Sequence, residues 1–311
     1  ITKEELDKKG ITTLKEALTR VGFYSGPTQY WDVVGYRGII QDQNTSMLLL
    51  IDGDVTNSSL KGGFGQMHLF PVLSKVDRIE IIRNPSSTLW GGKALLGVIN
   101  IITRDEDGVR FSTGFDEFNK RNHQSLHLGD QGDWGSFSLH YTQFKSSEKS
   151  VDHYPTNATE GLTKHPYLKN EQNYFPFSHE VHSKLSLSSF EFIFHYSDFK
   201  TGSRDMESNF NSRIRDGMEH YRKGWITAQQ TQDFSDSWQL ISKFHYNKQD
   251  FLQLRKHIGP IPESDFSRTW REYSLGFEQM LHWMPSAEWD SLFGWEYKHL
   301  NWSTLQGAPG Q

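Results

Sequence analysis

The sequence predicts an α+β domain followed by strands of an antiparallel transmembrane β-barrel. Helix and strand signals are mixed in residues 1–108, whereas beyond Gly108 the helical periodicity stops and rings alternate with polar residues. Aromatic residues make up 14% of a chain whose mean hydropathy is −0.67. A polar chain that is rich in rings suits an outer-membrane barrel, because only alternate residues of each strand face lipid.

The composition excludes several other classes of protein. The 311 residues contain no cysteine, which excludes a disulfide-built protein and a cysteine-ligated metal protein. The longest aliphatic run, Met47–Ile51, is far shorter than the roughly 18 apolar residues of a transmembrane helix. With 33 Lys and Arg against 38 Asp and Glu, the chain has no basic excess, so we expect no nucleic-acid partner.

Two short helices are predicted near the start of the chain. Thr2 is followed three residues later by Glu5, and Thr13 by Glu16, which is the capping-box pattern of a helix start. The apolar residues that share one face of the second helix are Leu14, Ala17, Leu18 and Val21.

Three strands complete the first domain. Met47–Ile51 is a short apolar run, and Asp52 and Gly53 close it with a tight turn, as expected of a buried strand. Residues 76–83 alternate between apolar and charged side chains, and residues 98–103 form the last strand.

The region 109–311 is expected to hold nine barrel strands, and the charged stretch 104–108 predicts a linker that ends the first domain. The rings that recur at alternate positions are Phe137 and Tyr141, Phe190, Phe192, Phe194 and Tyr196, Phe244 and Tyr246, Tyr273 and Phe277, and Phe293, Trp295 and Tyr297. A period of two residues places the rings of each strand on one face.

Short and long connections alternate along this region. Short turns are predicted at 129–133, 188–189, 235–237 and 282–287, and long polar loops at 146–180, 202–222 and 252–268. Short turns at one end and long loops at the other are typical of an outer-membrane barrel. The residues expected in an aromatic girdle beside the short turns are Trp134, Trp238, Trp270 and Trp289. The alternative is a soluble β-sandwich, although sandwich loops seldom alternate in length so regularly.

One segment of the first domain has the pattern of an enzyme site. Asp52 and Asp54 follow a buried strand two positions apart, which resembles the nucleophile motif of haloacid-dehalogenase-type phosphatases. Such an enzyme also needs a further acidic pair for its metal and a lysine in a parallel α/β sheet, whereas the chain beyond Gly108 is β-stranded. An Asp-Gly turn that closes the strand is the alternative. We therefore expect no enzyme, no metal site and no cofactor.

A set of short motifs covers nearly all of the first domain in fixed order. The motifs are Gly10-x-x-x-Leu14, Ala17-Leu18, Tyr36-Arg37-Gly38, 48–53, 76–83, Leu89-Trp90-Gly91, and Ala94 with 97–103. This array resembles the plug domain of TonB-dependent outer-membrane receptors, with Asn84 where the family usually has Gly and Trp90 where Tyr is commoner. The residues that the resemblance assigns to the plug motif are Gly38, Asp52, Gly53, Arg78, Glu80, Gly91, Gly97 and Asn100.

The resemblance implies a small domain that fills the lumen of a large barrel in the outer membrane of a Gram-negative bacterium. It implies active uptake of a scarce small ligand: an iron–siderophore, haem, cobalamin or a glycan. The energy comes from TonB with its ExbB/ExbD complex, through an N-terminal box that we expect to lie outside this sequence. The alternative is a receptor-like barrel that does not transport and is a structural component of an envelope assembly. Either protein is surrounded by outer-membrane lipid.

The resemblance also implies contacts between plug arginines and barrel glutamates. Arg37 and Arg83 occupy the matching plug positions. Phe277 and Trp295 directly precede two barrel glutamates, Glu278 and Glu296. If these two rings face lipid, alternation turns the glutamates into the lumen. Buried charges are tolerated when they are paired and hydrogen-bonded, so ion pairs are expected here. The alternative is that each glutamate faces luminal water.

The sequence offers candidate ligand-binding residues but does not identify the ligand. His153, His165 and His179 fall in the first predicted long loop, together with Tyr154 and Tyr167. The histidines are candidates to ligate haem iron or a metal, and the rings are candidates for an aromatic basket around a siderophore or sugar. Solvated loop histidines are the alternative.

The length of the chain sets a last expectation. A plugged barrel of about twenty-two strands needs more residues than 109–311 provide. The chain is therefore expected to hold a complete plug and less than half of a barrel.

Overall fold

The computed structural model describes residues 1–27, 32–69, 71, 73–83, 94–116, 121–146, 177–207, 213–257, 266–286 and 288–307. These residues form two parts. Residues 1–103, here called the plug, are mixed α/β, and residues 108–307, here called the barrel wall, form one antiparallel sheet.

Both predicted helices of the plug are present, as α1 (Lys3–Lys8) and α2 (Leu14–Arg20). Each begins with a complete capping box, in which a threonine and a glutamate side chain satisfy each other's backbone amides. α2 buries Leu14, Ala17 and Leu18. Among the residues that the structure describes, no helix is both long and apolar enough to cross a membrane.

A four-stranded sheet forms the centre of the plug. Its strands are β3 (Met47–Ile51), β4 (Asp54–Val55), β5 (Val76–Ile82) and β6 (Gly97–Thr103), in the order β4-β3-β6-β5. β3 runs parallel to β6, and the other pairs are antiparallel. The plug also contains β1 (Tyr24–Pro27), β2 (Asp32–Gly35), α3 (Gln66–Leu69) and two 3₁₀ turns, Asp42–Asn44 and Leu73–Lys75.

The plug core packs on both faces of β3. Leu49 and Ile99 belong to one apolar cluster with the residues of α1 and α2. On the other face, Leu48 and Leu50 pack with Val98. A strand that is covered on both faces needs a continuous apolar run, which explains why the sequence of β3 does not alternate.

In the residues that the structure describes, the barrel wall has nine strands, each of which pairs with its neighbours in sequence. They are β7 (Gly108–Asp116), β8 (Arg121–Gly132), β9 (Gly135–Ser146), β10 (Ser178–Leu187), β11 (Phe190–Glu207), β12 (Arg213–Ser235), β13 (Trp238–His257), β14 (Phe266–Ser286) and β15 (Trp289–Gly307). The number of strands and their antiparallel order are those that the sequence predicts.

The two faces of the wall differ in the way that alternation predicts. On β11, Phe190, Phe192 and Phe194 point outwards and are about two-fifths exposed. Ile193 and His195, which alternate with these rings along the strand, are each 3% exposed. The plug covers the inner face, so the residues between the rings are buried.

The strands of the wall are longer than the sequence indicates. β11 to β15 contain 18 to 23 residues each, about twice the span that crosses the lipid. The loops predicted at 202–222 and 252–268 are therefore wrong in extent. Strand pairing continues into them, for example between Gly202 and Met218. Backbone hydrogen bonds need no apolar side chain, so pairing beyond the stretches of alternating rings leaves no alternation in the sequence.

Tryptophans lie beside the short turns at one end of the wall. Trp238 stacks on a second tryptophan of the neighbouring strand, with 5.5 Å between ring centroids, and Trp134 and Trp289 lie near turns. The prediction for Trp270 is wrong. It lies at the opposite end of β14, and its ring stacks inside the wall on Phe251 with centroids 4.8 Å apart.

Candidate functional site between plug and barrel wall

Polar and charged side chains make many of the contacts between the plug and the inner face of the wall, beside an apolar contact of Met67 with rings of the wall. The turn after β3 is one such contact, and its residues Asp52 and Gly53 have φ of 48° and 80°. The amide of Gly53 donates to Asn100 Oδ1 at 3.2 Å. Asp52 accepts hydrogen bonds from the amide and hydroxyl of Thr103 at 2.8 and 2.7 Å. From the wall, His182 Nε2 donates to Asp52 Oδ2 at 2.8 Å.

These bonds hold Asp52 in its ionised form. Burial raises the pKa of the carboxyl, but the hydrogen bond and attraction of His182 and the two bonds from Thr103 outweigh burial. Together they lower the pKa of Asp52 from 3.8 to about 2. The turn therefore presents a carboxylate to the wall, and its hydrogen bonds are charge-assisted.

A second carboxylate reaches the wall two residues later. Lys243 Nζ of β13 lies 2.7 Å from Asp54 Oδ1, and the hydroxyl of Thr227 on β12 donates to Asp54 Oδ2 at 2.7 Å. The spacing that resembles a phosphatase motif thus brings Asp52 and Asp54 to different strands of the wall. Among the described residues, no group of three or more His, Asp or Glu side chains is arranged to hold a metal ion.

The loop after β4 is fixed from both sides. On the plug side, Asn57 is buried, and its Oδ1 accepts from the amide of Leu49 at 2.8 Å. On the wall side, Glu272 of β14 accepts from the hydroxyl of Ser58 and the amide of Leu60, both at 2.9 Å. A wall carboxylate therefore satisfies plug donors that would otherwise be buried without a partner.

A buried ion pair joins the plug to β10. Lys75 Nζ contacts Glu180, and the two side chains are 6% and 8% exposed. His195 Nε2 lies 4.0 Å from the other carboxylate oxygen of Glu180. Beside the pair, the hydroxyls of Ser74 and Thr142 lie 2.7 Å apart. Removing one partner of such a pair leaves an uncompensated buried charge, so the pair fixes the position of this part of the plug.

Four histidines form a row on the inner face of four consecutive strands. The row consists of His127, His140, His182 and His195. His127 Nε2 lies 2.8 Å from the carbonyl oxygen of Glu106, and His140 Nε2 lies 3.0 Å from that of Arg104. Carbonyl oxygens only accept, so both ring nitrogens donate. The row therefore anchors the linker between plug and wall as well as the Asp52 turn.

Part of the contact between plug and wall is open to water. A cleft of about 270 Å³ remains beside the first strands of the wall. Lys3, Arg104, Arg110 and His123 are among the residues that line it. Water can therefore reach part of the surface along which the plug meets the wall.

The predicted ion pairs between plug arginines and barrel glutamates are not formed. Arg37 is exposed, with its guanidinium 5.2 Å from the ring centroid of Tyr36, and Arg83 is exposed after the end of β5. Glu278 and Glu296 face inwards as predicted and are register partners. In the part of the chain that the structure describes, however, no ion pair links either glutamate to either arginine.

Local geometry explains why Arg37 and Glu278 do not form the predicted ion pair. Arg37 and Gly38 have φ of 54° and 77°, so they form the tip of a tight turn that leaves the arginine side chain exposed. Glu278 has Lys243 as its register partner on β13. The cation beside Glu278 therefore comes from the wall itself, and the same lysine contacts Asp54.

The other described motif residues act within the plug. Arg78 donates to Glu80 at 2.8 Å on the exposed edge of β5, and this hydrogen bond raises the pKa of Arg78. Gly97 has a φ of 149°, and a Cβ there would lie 2.3 Å from the carbonyl oxygen of Ile82. Only glycine fits such a close approach. Asn100 stabilises the turn after β3.

Most of the candidate ligand residues lie outside the described residues. They are His153, Tyr154, His165 and Tyr167, and the motif residue Gly91 also lies outside. His179 is part of β10 rather than of a loop, because that strand begins at Ser178. Its ring faces outwards, 6.0 Å from the ring of Tyr196. His179 therefore does not line the lumen.

The histidine row is not among the predicted site residues, although the sequence carries a signal for it. His127 and His140 are 13 residues apart across one predicted hairpin, and His182 and His195 are 13 apart across another. Each histidine alternates with residues of the outer face, such as Phe194 and Tyr196 on either side of His195, so alternation places all four on the inner face.

Comparison with known proteins finds a family model that matches the plug and solved structures whose fold resembles the whole chain. Residues 1–98 match the family model described as the TonB-dependent receptor plug domain. The siderophore receptor PiuA from Acinetobacter baumannii is 13% identical, with a TM-score of 0.62 over 98% of this chain and 45% of that one. The ferric yersiniabactin uptake receptor FyuA from Yersinia pestis is 13% identical, with a TM-score of 0.55 over 98% and 60%.

A third structure has a similar fold. The copper transporter OprC is 12% identical, with a TM-score of 0.64 over 94% of this chain and 44% of that one. At these identities the likeness shows the fold, which is a plug with part of a large barrel. The chain spans about half the length of the three receptors.

Proposed function

We propose that this chain, which has the plug domain and part of the barrel fold of a TonB-dependent receptor, belongs to an outer-membrane transporter of a Gram-negative bacterium. The transporter admits its ligand by moving the plug. TonB, energised by ExbB and ExbD, supplies the work from the periplasm. The ligand is an iron–siderophore, a class that the names of two similar receptors support.

The chemical character of the contact between plug and wall carries this proposal. The wall holds the plug through side chains such as Glu180, His182, Lys243 and Glu272, which lie on three different strands. A hydrogen bond to protein that is exchanged for one to water changes the free energy by about 1 kcal/mol, and by about 2 kcal/mol where one partner is charged, which is little for each contact. A plug that is held in this way can shift under a pulling force while its own apolar core stays folded.

Uptake measurements test the proposal. Cells that lack the receptor are supplied with it on a plasmid, and the import of radiolabelled iron is followed from a panel of ferric siderophores. We expect uptake of at least one siderophore that requires both the receptor and TonB. Entry of a small sugar through general porins is the control, because it requires neither.

Two results would contradict the proposal. Siderophore import that continues at the same rate without TonB would exclude plug movement by TonB. A receptor whose loss alters envelope integrity but changes no import would favour the structural alternative.

A further inference from the structure

Arg104, in the linker between plug and wall, carries a buried charge. Its side chain is 4% exposed, and among the described residues its Nε has no hydrogen-bond partner. Its Nη1 lies 3.5 Å from an oxygen of Glu106, which is too long for a strong hydrogen bond. Arg110 holds the same oxygen more closely, with its Nη2 2.6 Å away. Glu106 therefore engages Arg104 only weakly.

A buried guanidinium of this kind requires a further partner. Buried charges in proteins are paired and hydrogen-bonded, because a charge that loses its water without gaining new partners is strongly destabilised. The guanidinium has five N–H donors and no acceptor. The partner that Arg104 requires is therefore a group with oxygen lone pairs, and a negative charge makes its hydrogen bonds stronger.

The cleft beside the first strands of the wall gives such a partner access to Arg104. Arg104 lines this cleft of about 270 Å³, together with Lys3 of α1 and Arg110 of β7. Arg110 faces the plug, because it is the register partner of His127 in the histidine row on the inner face. A water molecule takes up about 30 Å³ of the liquid, so the cleft has room for a small polyatomic ion. Cationic groups from the plug, the linker and the wall converge on this space.

The carboxylates beside the cleft do not cancel its positive charge. Lys3 contacts Asp7, which is 63% exposed, whereas Arg104 and Arg110 share Glu106, which is 48% exposed. Three cations therefore face two carboxylates. Water screens both of these carboxylates, but it screens the buried charge of Arg104 much less.

The rest of the polar lining is suited to an anion as well. The hydroxyl side chains of the cleft are Thr12, Ser74, Ser112, Ser125 and Thr142. A hydroxyl can donate a hydrogen bond to an anion and brings no negative charge of its own. The lining therefore adds donors without adding repulsion.

The charged part of the cleft lies towards the end of the wall that has the short turns. Gly108, two residues before Arg110, is the register partner of Gly129, and the turn that follows Gly129 begins at Gly132. Short turns face the periplasm in outer-membrane barrels. The periplasm is therefore the compartment nearest to Arg104 and Arg110.

We propose that this cleft binds a small oxyanion, a phosphate or a carboxylate, which joins Lys3 of the plug to Arg104 of the linker and Arg110 of the wall. The planar fork of a guanidinium matches the oxygens of either group. The bound ion bridges α1 to β7 and thereby strengthens the retention of the plug. The inference adds a ligand site to the proposed function and does not depend on transport.

Calorimetry with the purified receptor in phosphate-free detergent solution tests this inference. Inorganic phosphate and succinate are the probes, and chloride at the same ionic strength is the control ion. The variants are Arg104→Gln and Arg110→Gln. The control variant is Arg222→Gln, which removes a half-exposed arginine outside the cleft. Hydrogen exchange of the α1 amides, with and without phosphate, is the second readout.

We expect the parent to bind at least one probe with a Kd below about 1 mM. Arg104→Gln should bind it at least about tenfold more weakly, because a buried charge-assisted contact is lost. The loss in Arg110→Gln should be smaller, since this side chain is 59% exposed. Phosphate should slow the exchange of α1 in the parent and in Arg222→Gln but not in Arg104→Gln.

Several results would overturn the proposal. They are equal affinity of the parent and Arg104→Gln for the probes, displacement of the probes by an equal concentration of chloride, and a parent that binds neither probe. If the parent binds neither probe and Arg104→Gln is strongly destabilised, a carboxylate of the protein itself occupies the cleft. If Arg104→Gln does not fold, unchanged affinity in Arg110→Gln overturns the proposal instead.

These failures differ from a failure of the proposed function. A receptor that imports a ferric siderophore but binds neither probe refutes the inference about the cleft only. A receptor that binds phosphate as expected but imports nothing refutes the proposed transport only.

Discussion

The plug is held together mainly by apolar contacts, and it is held in the wall mainly by polar and charged ones. Two apolar contacts cross the boundary: Met67 packs among rings of the wall, and Trp225 of the wall joins the plug core. Inside the plug, Leu49 and Leu50 are completely buried among apolar side chains. Where the plug meets the wall, Asp52, Lys75 and Ser58 are bound by charged or polar partners. The difference teaches that unfolding the plug and shifting the plug within the wall are separate events, each with its own free-energy cost. Substitutions on either side should change one cost and leave the other unchanged.

The largest effect is expected inside the plug. Leu49→Ala should destabilise the folded plug by about 3 kcal/mol, because it leaves a cavity in a closely packed core. Hydrogen exchange of the β3 and β6 amides measures this loss. The matched control is Val55→Ala on β4, where the side chain is 45% exposed and an effect below about 0.5 kcal/mol is expected. Equal effects of the two changes would contradict the account of the core.

The next effect concerns the position of the plug. Glu180→Gln should weaken retention of the plug by about 3 kcal/mol, because Lys75 is left as an unpaired buried charge. Exchange should rise at amides beside Ser74 and remain slow in β3. Glu191→Gln is the control, since its pair with Lys184 lies within the wall and is a quarter to a third exposed. If β3 loses protection as much as the contact does, the two costs are not separate.

A smaller effect with a defined pH dependence is expected at Asp52. Its folded pKa of about 2 lies below the usual 3.8, so its contribution is complete above pH 3.8 and is lost as the pH falls towards 2. This difference corresponds to about 2 kcal/mol in total, of which only the part due to His182 concerns retention, because Thr103 belongs to the plug itself. Asp52→Asn should lower retention at neutral pH and remove this part of the acid dependence. Asp77→Asn, on the exposed edge of β5, is the control and should keep the parental profile.

The smallest effect is expected at Arg37. Charge reversal to glutamate should change retention by less than about 0.5 kcal/mol, because the side chain is exposed and in the described residues forms no ion pair with the wall. Protease resistance of the plug in detergent is a sufficient measurement. A loss of retention as large as that of Glu180→Gln would contradict this expectation and support the arginine–glutamate contacts that the family resemblance implies.

The sequence predicts those features that depend on neighbouring residues. The capping boxes at Thr2 and Thr13, the buried run of β3 and the turn at Asp52 are all set by residues within a few positions, so they are visible in the sequence. The inward direction of Glu278 also follows from local alternation.

The partners across the contact could not be predicted in the same way. Which plug residue faces Glu180 or His182 depends on how far the strands of the wall are shifted against one another and how the plug sits within it. Neither quantity is encoded in a short segment. The sequence also predicts Glu180 at the end of a loop, whereas the residue lies in β10. The first residues of this strand show no apolar alternation that would mark them as a strand.

A reversible covalent link between plug and wall tests the central claim most directly. The hydroxyls of Ser74 and Thr142 lie 2.7 Å apart, and the chain has no cysteine of its own, so Ser74→Cys with Thr142→Cys allows one defined disulfide. The control pair is Ser112→Cys with Ser125→Cys, because the hydroxyls of Ser112 and Ser125 lie 2.5 Å apart within the wall.

The measurement is import of a radiolabelled ferric siderophore by cells that carry the oxidised or the reduced receptor. We expect the oxidised plug–wall variant to bind the siderophore at the cell surface but not to import it, and reduction to restore import. The control pair should import in both states. Import at the parental rate through the oxidised plug–wall variant would contradict the claim that the polar contact must open for the ligand to pass.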